Sequence, residues 1–362
     1  MRKKVLRAAG ATVSLGIALA IPVVLARRAD LPVSALLALP LAAHLLAALA
    51  LFVEVGGRAA RIVVFARALK VPLRWSTAWI AQLAGDSAGT VTPSRSGTEP
   101  AKMLAMRRDG GKVGGLAAIA VGETAFEALG LLAIGLALAV FVDGGGAIAL
   151  AIGTYAGVVL TVIAGLLLFA GQGAQRRPVP RWWTKVGLRH GRWRLLERTS
   201  RDFRERAGAL RHIPRRYVAG AVGATFLHQA ARAATFPALV WATTMEPGLD
   251  WVALTLRPFG LLYLGSLLPP PGGGGGIEMG FVAVLGDALG PDQLPVLLLW
   301  WRVYTHLLTA VIGAGLLLQL WAGRARARSA REREQFPESL DREESVEREP
   351  AALHSPDGPG PA

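Results

Sequence analysis

Apolar runs alternate along this chain with short, positively charged connections. Six stretches approach the length of about 20 residues that a helix needs to cross a bilayer: residues 6–26, 32–55, 115–142, 147–171, 217–244 and 294–322. Two more are apolar but interrupted. Residues 75–92 contain Gln82 and Asp86, and residues 250–268 contain Arg257 directly before Pro258. Each runs into a break rich in proline and glycine, PSRSGTEPAK (93–102) and PPPGGGGGIEMG (269–280). Beyond the breaks the chain resumes at 98–113 and 277–290. Irregular backbone at membrane depth is tolerated only where protein or a cavity surrounds it, so the pattern predicts two re-entrant hairpins. Pro93 and Gly97 would break the first, and Pro271, Gly273 and Gly276 the second.

Charge sets the expected orientation. The N-terminus (Arg2, Lys3, Lys4, Arg7) and the connections 56–75 and 93–114 are basic, whereas the DGGG after Val142 and the MEPGLD after Thr244 are acidic. The cytoplasmic bias for Lys and Arg places both termini in the cytoplasm, with Arg58 and Arg61 in an inner connection. The expected fold is an all-α integral membrane protein of the inner (cytoplasmic) membrane, with about six spans and two re-entrant hairpins. Its halves, about 1–142 and 147–322, each hold two spans, a hairpin and one span, in opposite orientation. Broken elements at the interface of inverted repeats are a transporter signature.

Spacing supports the repeat. Glu99 and Glu278 are 179 residues apart, and the same offset carries Glu123 to Arg302 and Glu127 to His306. Each half thus follows its Gly-x-Glu with a polar pair four residues apart, on one helix face, and the two pairs have opposite sign. Charges at this depth face a partner, a cavity or a ligand. Two readings stand: an ion-pair network joining the halves, or a midplane site holding a phosphate headgroup. Either brings Glu123 and Glu127 toward Arg302 or His306 across the repeat interface. His228 and Arg232 form another such pair. Each half-helix after a break offers its positive end to an anion, and Glu99 and Glu278 either cap those ends or serve the site. Lys102 follows Glu99 by three residues; Arg95 and Arg257 stand at the hairpins.

The chain of 362 residues is 52% hydrophobic, its net charge is +15, and its mean hydropathy is +0.41. In a soluble protein that charge would point to nucleic acid; here it lies between spans and no nucleic-acid partner is expected. With no cysteine there are neither disulfides nor thiolate metal sites. Neither metal nor cofactor is expected, and a homo-oligomer is allowed. Residues 172–216 carry fourteen Arg or Lys against three acids, with Trp182, Trp183 and Trp193; they read as a basic cytoplasmic loop, either solvated or lying on anionic headgroups. Residues 323–362 read as a disordered tail. The function expected is movement of an anionic lipid or lipid-linked intermediate between leaflets. An integral-membrane transferase acting on a lipid carrier is the alternative, but Asp-x-Asp, His-rich metal spacing and a serine nucleophile motif are missing from the sequence. No catalytic residue is assigned.

PSRSGTEPAK with the GETAFE that follows (122–127), and PPPGGGGGIEMG with LLLWWRVYTH (297–306), resemble the flippase-like transmembrane region of lysylphosphatidylglycerol synthases. That region also occurs alone in a large family of bacterial and archaeal membrane proteins. The resemblance covers most of residues 10–322. It implies a lipid-translocase-like fold with the polar motifs lining a central cavity; in the synthases this region moves the aminoacylated lipid to the outer leaflet. What it carries over falls on Glu99, Lys102, Glu123, Glu127, Glu278 and Arg302. The sequence departs from the synthase pattern in lacking the soluble aminoacyl-transfer domain, which leaves the lipid unassigned.

Overall fold

A computed structural model describes residues 20–170, 190–243, 248–267 and 275–335. Among the described residues all regular structure is helical. Helix α1 covers 20–28, and the rest of the span expected at 6–26 lies outside the described residues. A 3-10 turn at Val33–Leu37 then leads through Pro40 into α2 (Leu41–Ala68). The first break joins α3 (Trp75–Thr90) to α4 (Thr98–Met106), and α5 (Val113–Phe141) and α6 (Gly146–Ala170) follow. The second part comprises α7 (His190–Ala209), α8 (Arg215–Thr243), α9 (Trp251–Leu267), α10 (Gly276–Leu285), α11 (Gln293–Arg302), a π turn at Val303–Leu307, and α12 (Leu308–Gln335). Residues 1–316 form one unit and 317–362 a second, described as the end of α12 up to Gln335. The helix therefore runs on past the boundary expected at 322.

By length and composition, Val113–Phe141, Gly146–Leu168 and Gln293–Gly323 are apolar enough to cross a membrane. Lipid offers no partner to backbone N–H and C=O groups, so such stretches must satisfy them internally as helix. The chain is an integral membrane protein. Helices α2 and α8 are equally long, at 28 and 29 residues, but carry charge in their middles.

Both interrupted stretches fold back as expected. Helix α3 packs on α4, and α9 packs on α10. In the first hairpin Gly85 and Gly89 make room: a Cβ at Gly85 would lie 2.8 Å from Lys102 Cγ, and one at Gly89 would overlap Thr98 Oγ1. Pro93 opens the turn, and the Gly97 N–H donates to Thr92 Oγ1 at 2.8 Å. Pro271 and Gly273 of the second break lie outside the described residues. Gly276 is the first residue of α10, and Gly275 before it takes φ 87°, a left-handed value suited to glycine.

Two expectations are corrected here. Residues 56–68 are not a cytoplasmic connection but the second half of α2, so Arg58 and Arg61 are buried side chains within a helix. The Gly56-Gly57 that resembles a loop start is instead a helix crossing. A Cβ at Gly56 would lie 3.2 Å from the Trp79 ring, and one at Gly57 2.8 Å from His228 Cβ. The connection proper starts at Leu69, with Lys70 at φ 53°. The basic segment 172–216 likewise contains helix α7. Asp202 on α7 accepts from Gly115 N at 2.9 Å, and Arg206 donates to Leu69 O at 2.6 Å, tying α7 to the start of α5 and the end of α2.

Two apolar clusters flank the polar centre. One joins Ala47, Leu51 and Val55 of α2 to Phe236 of α8, Phe281 of α10 and Trp301 of α11. The other joins Leu131 and Leu138 of α5 to Ile152 and Ala156 of α6 and Ala253 of α9.

Candidate functional site

Charged residues of α2 meet those of the first hairpin, α5 and α8, with Tyr263 of α9, around a cavity of about 280 Å³. Its cations are Arg58, Arg61, Arg95, Lys102 and Arg232, and its carboxylates are Glu99, Glu123 and Glu127. Apolar residues share the lining, with Leu131 from α5 and Val159 from α6, together with Tyr155. The lining therefore combines a charged part, the floor, with an apolar part.

Two groups of ion pairs build the floor. In the first, Arg58 sends a two-pronged fork to Asp86, Nη1 to Oδ2 at 2.9 Å and Nη2 to Oδ1 at 2.8 Å. Asp86 also accepts from Gln82 at 3.2 Å and from Arg95 at 3.0 Å. Glu54 sits between Arg58 (3.3 Å) and Arg232 (3.4 Å). In the second, Arg61 reaches Glu127 at 2.7 Å and Glu123 at 3.9 Å. Lys102 lies between Glu99 (3.2 Å) and Glu123 (3.5 Å). Glu127 is held further by His228 Nε2 at 3.2 Å and by the Tyr263 hydroxyl at 2.5 Å. Tyr263 also lies under the Arg232 guanidinium, 5.5 Å from ring centroid to Cζ, a cation–π contact.

The five cations are balanced by five carboxylates, Glu54, Asp86, Glu99, Glu123 and Glu127. Buried charge requires such pairing, because desolvation otherwise exceeds the attraction gained. The distribution is uneven. Asp86 and Glu54 stand behind the wall, so the lining itself presents five cations against three carboxylates. Among the described residues Arg61 Nε of that lining has no hydrogen-bond partner, and neither do Glu99 Oε2, Glu123 Oε1 and Glu127 Oε2.

The expected site residues separate into two places. Glu99, Lys102, Glu123 and Glu127 line the cavity. The partners expected for Glu123 and Glu127 are corrected: they pair with Arg61, Lys102 and His228 rather than with Arg302 or His306. Glu278 and Arg302 instead pair with each other, at 2.6 Å with both side chains buried. Glu278 also accepts from Gly275 N at 2.7 Å, capping α10. Arg302 donates to His306 Nδ1 at 3.2 Å; a guanidinium can only donate, so Nδ1 accepts. The π turn between them, Val303–Leu307, is a conformation often found at functional sites. Arg257 lies outside the cavity and donates to Asp143 O at 2.9 Å and Val284 O at 3.2 Å.

The spacing argument did not reach Arg58, Arg61, Glu54, Asp86 or Tyr263. Asp86 left a signal, since a carboxylate four residues after a glutamine in an otherwise apolar stretch needs a buried cation. Arg58 and Arg61 left one too, at three-residue spacing on a single helical face beside Glu54.

With this geometry in place, the comparison with known families gives a definite result. The chain belongs to the lysylphosphatidylglycerol synthase TM region family, whose model matches residues 10–313. No curated protein matches the chain.

Proposed function

We propose that this protein moves an anionic amphiphile, a lipid or lipid-linked intermediate, between the leaflets of the cytoplasmic membrane. The observation that carries this reading is the composition of the cavity: a cation-rich lining that also takes apolar residues from α5 and α6, two helices apolar enough to span the bilayer. A headgroup rests among Arg61, Arg95 and Lys102 while its acyl chains leave past Leu131 and Val159 into lipid. Membership in the family agrees with this use.

The rest of the reading is an inverted repeat with both termini in the cytoplasm. Helix α2 and helix α8 support it, because they pack antiparallel: Glu54 meets Arg232, Gly57 meets His228, Arg61 meets Thr225, and Val64 meets Gly220. In an inverted repeat with an offset of 179 residues, the local two-fold axis passes where a residue meets its own counterpart. Glu54 and Arg232, 178 apart, fall within one residue of that condition. The corresponding pairs Glu99/Glu123 and Glu278/Arg302 each join a hairpin's return helix to the span after it, through Lys102 in the first half and directly in the second.

Reconstitution tests the function. Purified protein in phosphatidylcholine vesicles should carry an NBD-labelled monoanionic glycerophospholipid to the leaflet open to dithionite, at least tenfold faster than empty vesicles. Glu127→Gln should slow it by a similar factor. Wild-type vesicles no faster than empty ones would overturn the proposal, and a new lipid species in the extract would favour the transferase instead.

A further inference from the structure

Within that site, one cation is held differently from the others. Ser94 (φ 47°, ψ 32°) and Arg95 (φ 54°) are consecutive non-glycine residues in the left-handed region, where L-residues are penalised by contact between Cβ and the backbone. Strain of this kind persists only where its surroundings impose it, and it concentrates at ligand clamps. Here it brings the Arg95 stem back along Gly89 and sets the guanidinium beside Asp86. The grip is weak. Among the described residues the Arg95 guanidinium has one hydrogen-bond partner, Asp86 Oδ1 at 3.0 Å, of the five donations it can make. Asp86 does not need that bond, since the Arg58 fork and Gln82 hold it already.

We infer that Arg95 is the clamp for the incoming headgroup, and that Asp86 stands in for the ligand's phosphate while the cavity is empty. The inference rests on the proposed function and specifies how that site takes its ligand. A phosphate monoanion captures Arg95 from Asp86 and draws a second contact from Lys102. Because the empty cluster is balanced, the arriving charge must displace another. Glu99 is the group able to leave: its side chain is 38% exposed, against 23% for Glu127 and 5% or less for Glu54, Asp86 and Glu123. Rotating into water, it frees Lys102 from one of its two carboxylates. Binding is therefore an exchange of counter-ions, with Glu99 released and Arg95 transferred.

The test uses full-length protein in a neutral detergent and reads the thermal shift produced by dioctanoyl-phosphatidylglycerol, by dioctanoyl-phosphatidylcholine and by inorganic phosphate, each variant against its own unliganded melt. Arg95→Gln should raise the concentration of anionic lipid needed for a half-maximal shift by roughly tenfold or more, the loss of a charge-assisted bond. Arg95→Lys, which keeps the charge without the fork, should cost less. Glu99→Gln, at a part-buried position, should act in the opposite direction and tighten binding several-fold, which a purely structural role would not do. A response to inorganic phosphate that depends on Arg95 supports the clamp with free phosphate as its ligand, and a response to the anionic lipid alone supports it with a lipid headgroup. Binding within twofold of wild type in Arg95→Gln overturns the clamp, as does an equal response to the phosphatidylcholine; weaker binding in Glu99→Gln overturns the exchange. Arg95-dependent binding without leaflet movement strikes the proposed function alone, and movement with unimpaired binding by Arg95→Gln strikes this inference alone.

Discussion

Arg58 and Asp86 are buried together in a two-pronged contact, and the energetic meaning of such a pair is asymmetric. Its formation adds little net stability, because both ions were solvated in the unfolded chain, whereas removing one partner strands the other charge. Arg58→Met should therefore lower stability by about 3–5 kcal/mol, read as a large drop in the detergent melting temperature. Adding Asp86→Leu should restore part of it, and Arg58→Lys should fail to substitute because an ammonium cannot reproduce the fork. Asp109, in the turn that follows α4, shows the milder case. Burial opposes its ionisation, but the Arg74 backbone N–H, Thr77 and the Arg74 guanidinium hold its carboxyl below the usual carboxylate range. A depressed folded pKa contributes stability above the unfolded value, and that contribution is lost as pH falls through the folded one. The stability gap between wild type and Asp109→Asn should thus be present at pH 7, begin to close near the unfolded value of about pH 4, and vanish below it. It should stay on the order of 1 kcal/mol, since Arg74 is largely exposed. Melting curves across that range give the answer.

The first hairpin shows what the sequence made legible at the scale of elements. Its break was visible because proline and glycine cannot continue a helix in lipid without compensation, and Asp86 excluded a simple span. Its packing was less visible: Gly85 and Gly89 look like ordinary small residues until Lys102, Thr98 and Arg95 are seen lying over them. Gly85→Val should push Lys102 from its place between Glu99 and Glu123. Overpacking of this kind costs about 1–3 kcal/mol, so the melting temperature should fall and anion binding weaken with it. A variant as stable as wild type would mean the hairpin has slack that the geometry does not show. Helix α2 was misjudged for a related reason. Charge bias treats every arginine after a glycine pair as loop, yet here the glycines admit Trp79 and His228 and the arginines enter the core. Glu99, Glu123 and Glu127 were easier, because a carboxylate in an apolar stretch has few tolerable explanations. Their partners were not, since opposite sign at matching offsets states complementarity but not which helix supplies the contact.

For the molecule as a whole, the antiparallel seam between α2 and α8 raises the question of what moves. The most extensive packing between elements lies along that seam, and the proposed axis passes beside Glu54 and Arg232. A tightly packed region at a symmetry axis is the part least displaced when two halves rock, so α2 and α8 should act as an axle while the hairpins travel. The absence of cysteine makes this directly testable, because an introduced pair has no native thiol to compete with it. Gly220 approaches Val64 closely enough that a Cβ there would lie 3.4 Å from Val64 Cγ2, within the reach needed for a disulfide. Val64→Cys with Gly220→Cys should oxidise readily, confirming the antiparallel register, and leave lipid movement within about twofold of the reduced protein, since the bond constrains parts already fixed. If oxidation stops movement and reduction restores it, the seam itself slides during the cycle, and the axle must lie elsewhere, with the hairpins held still while α2 and α8 shift past one another.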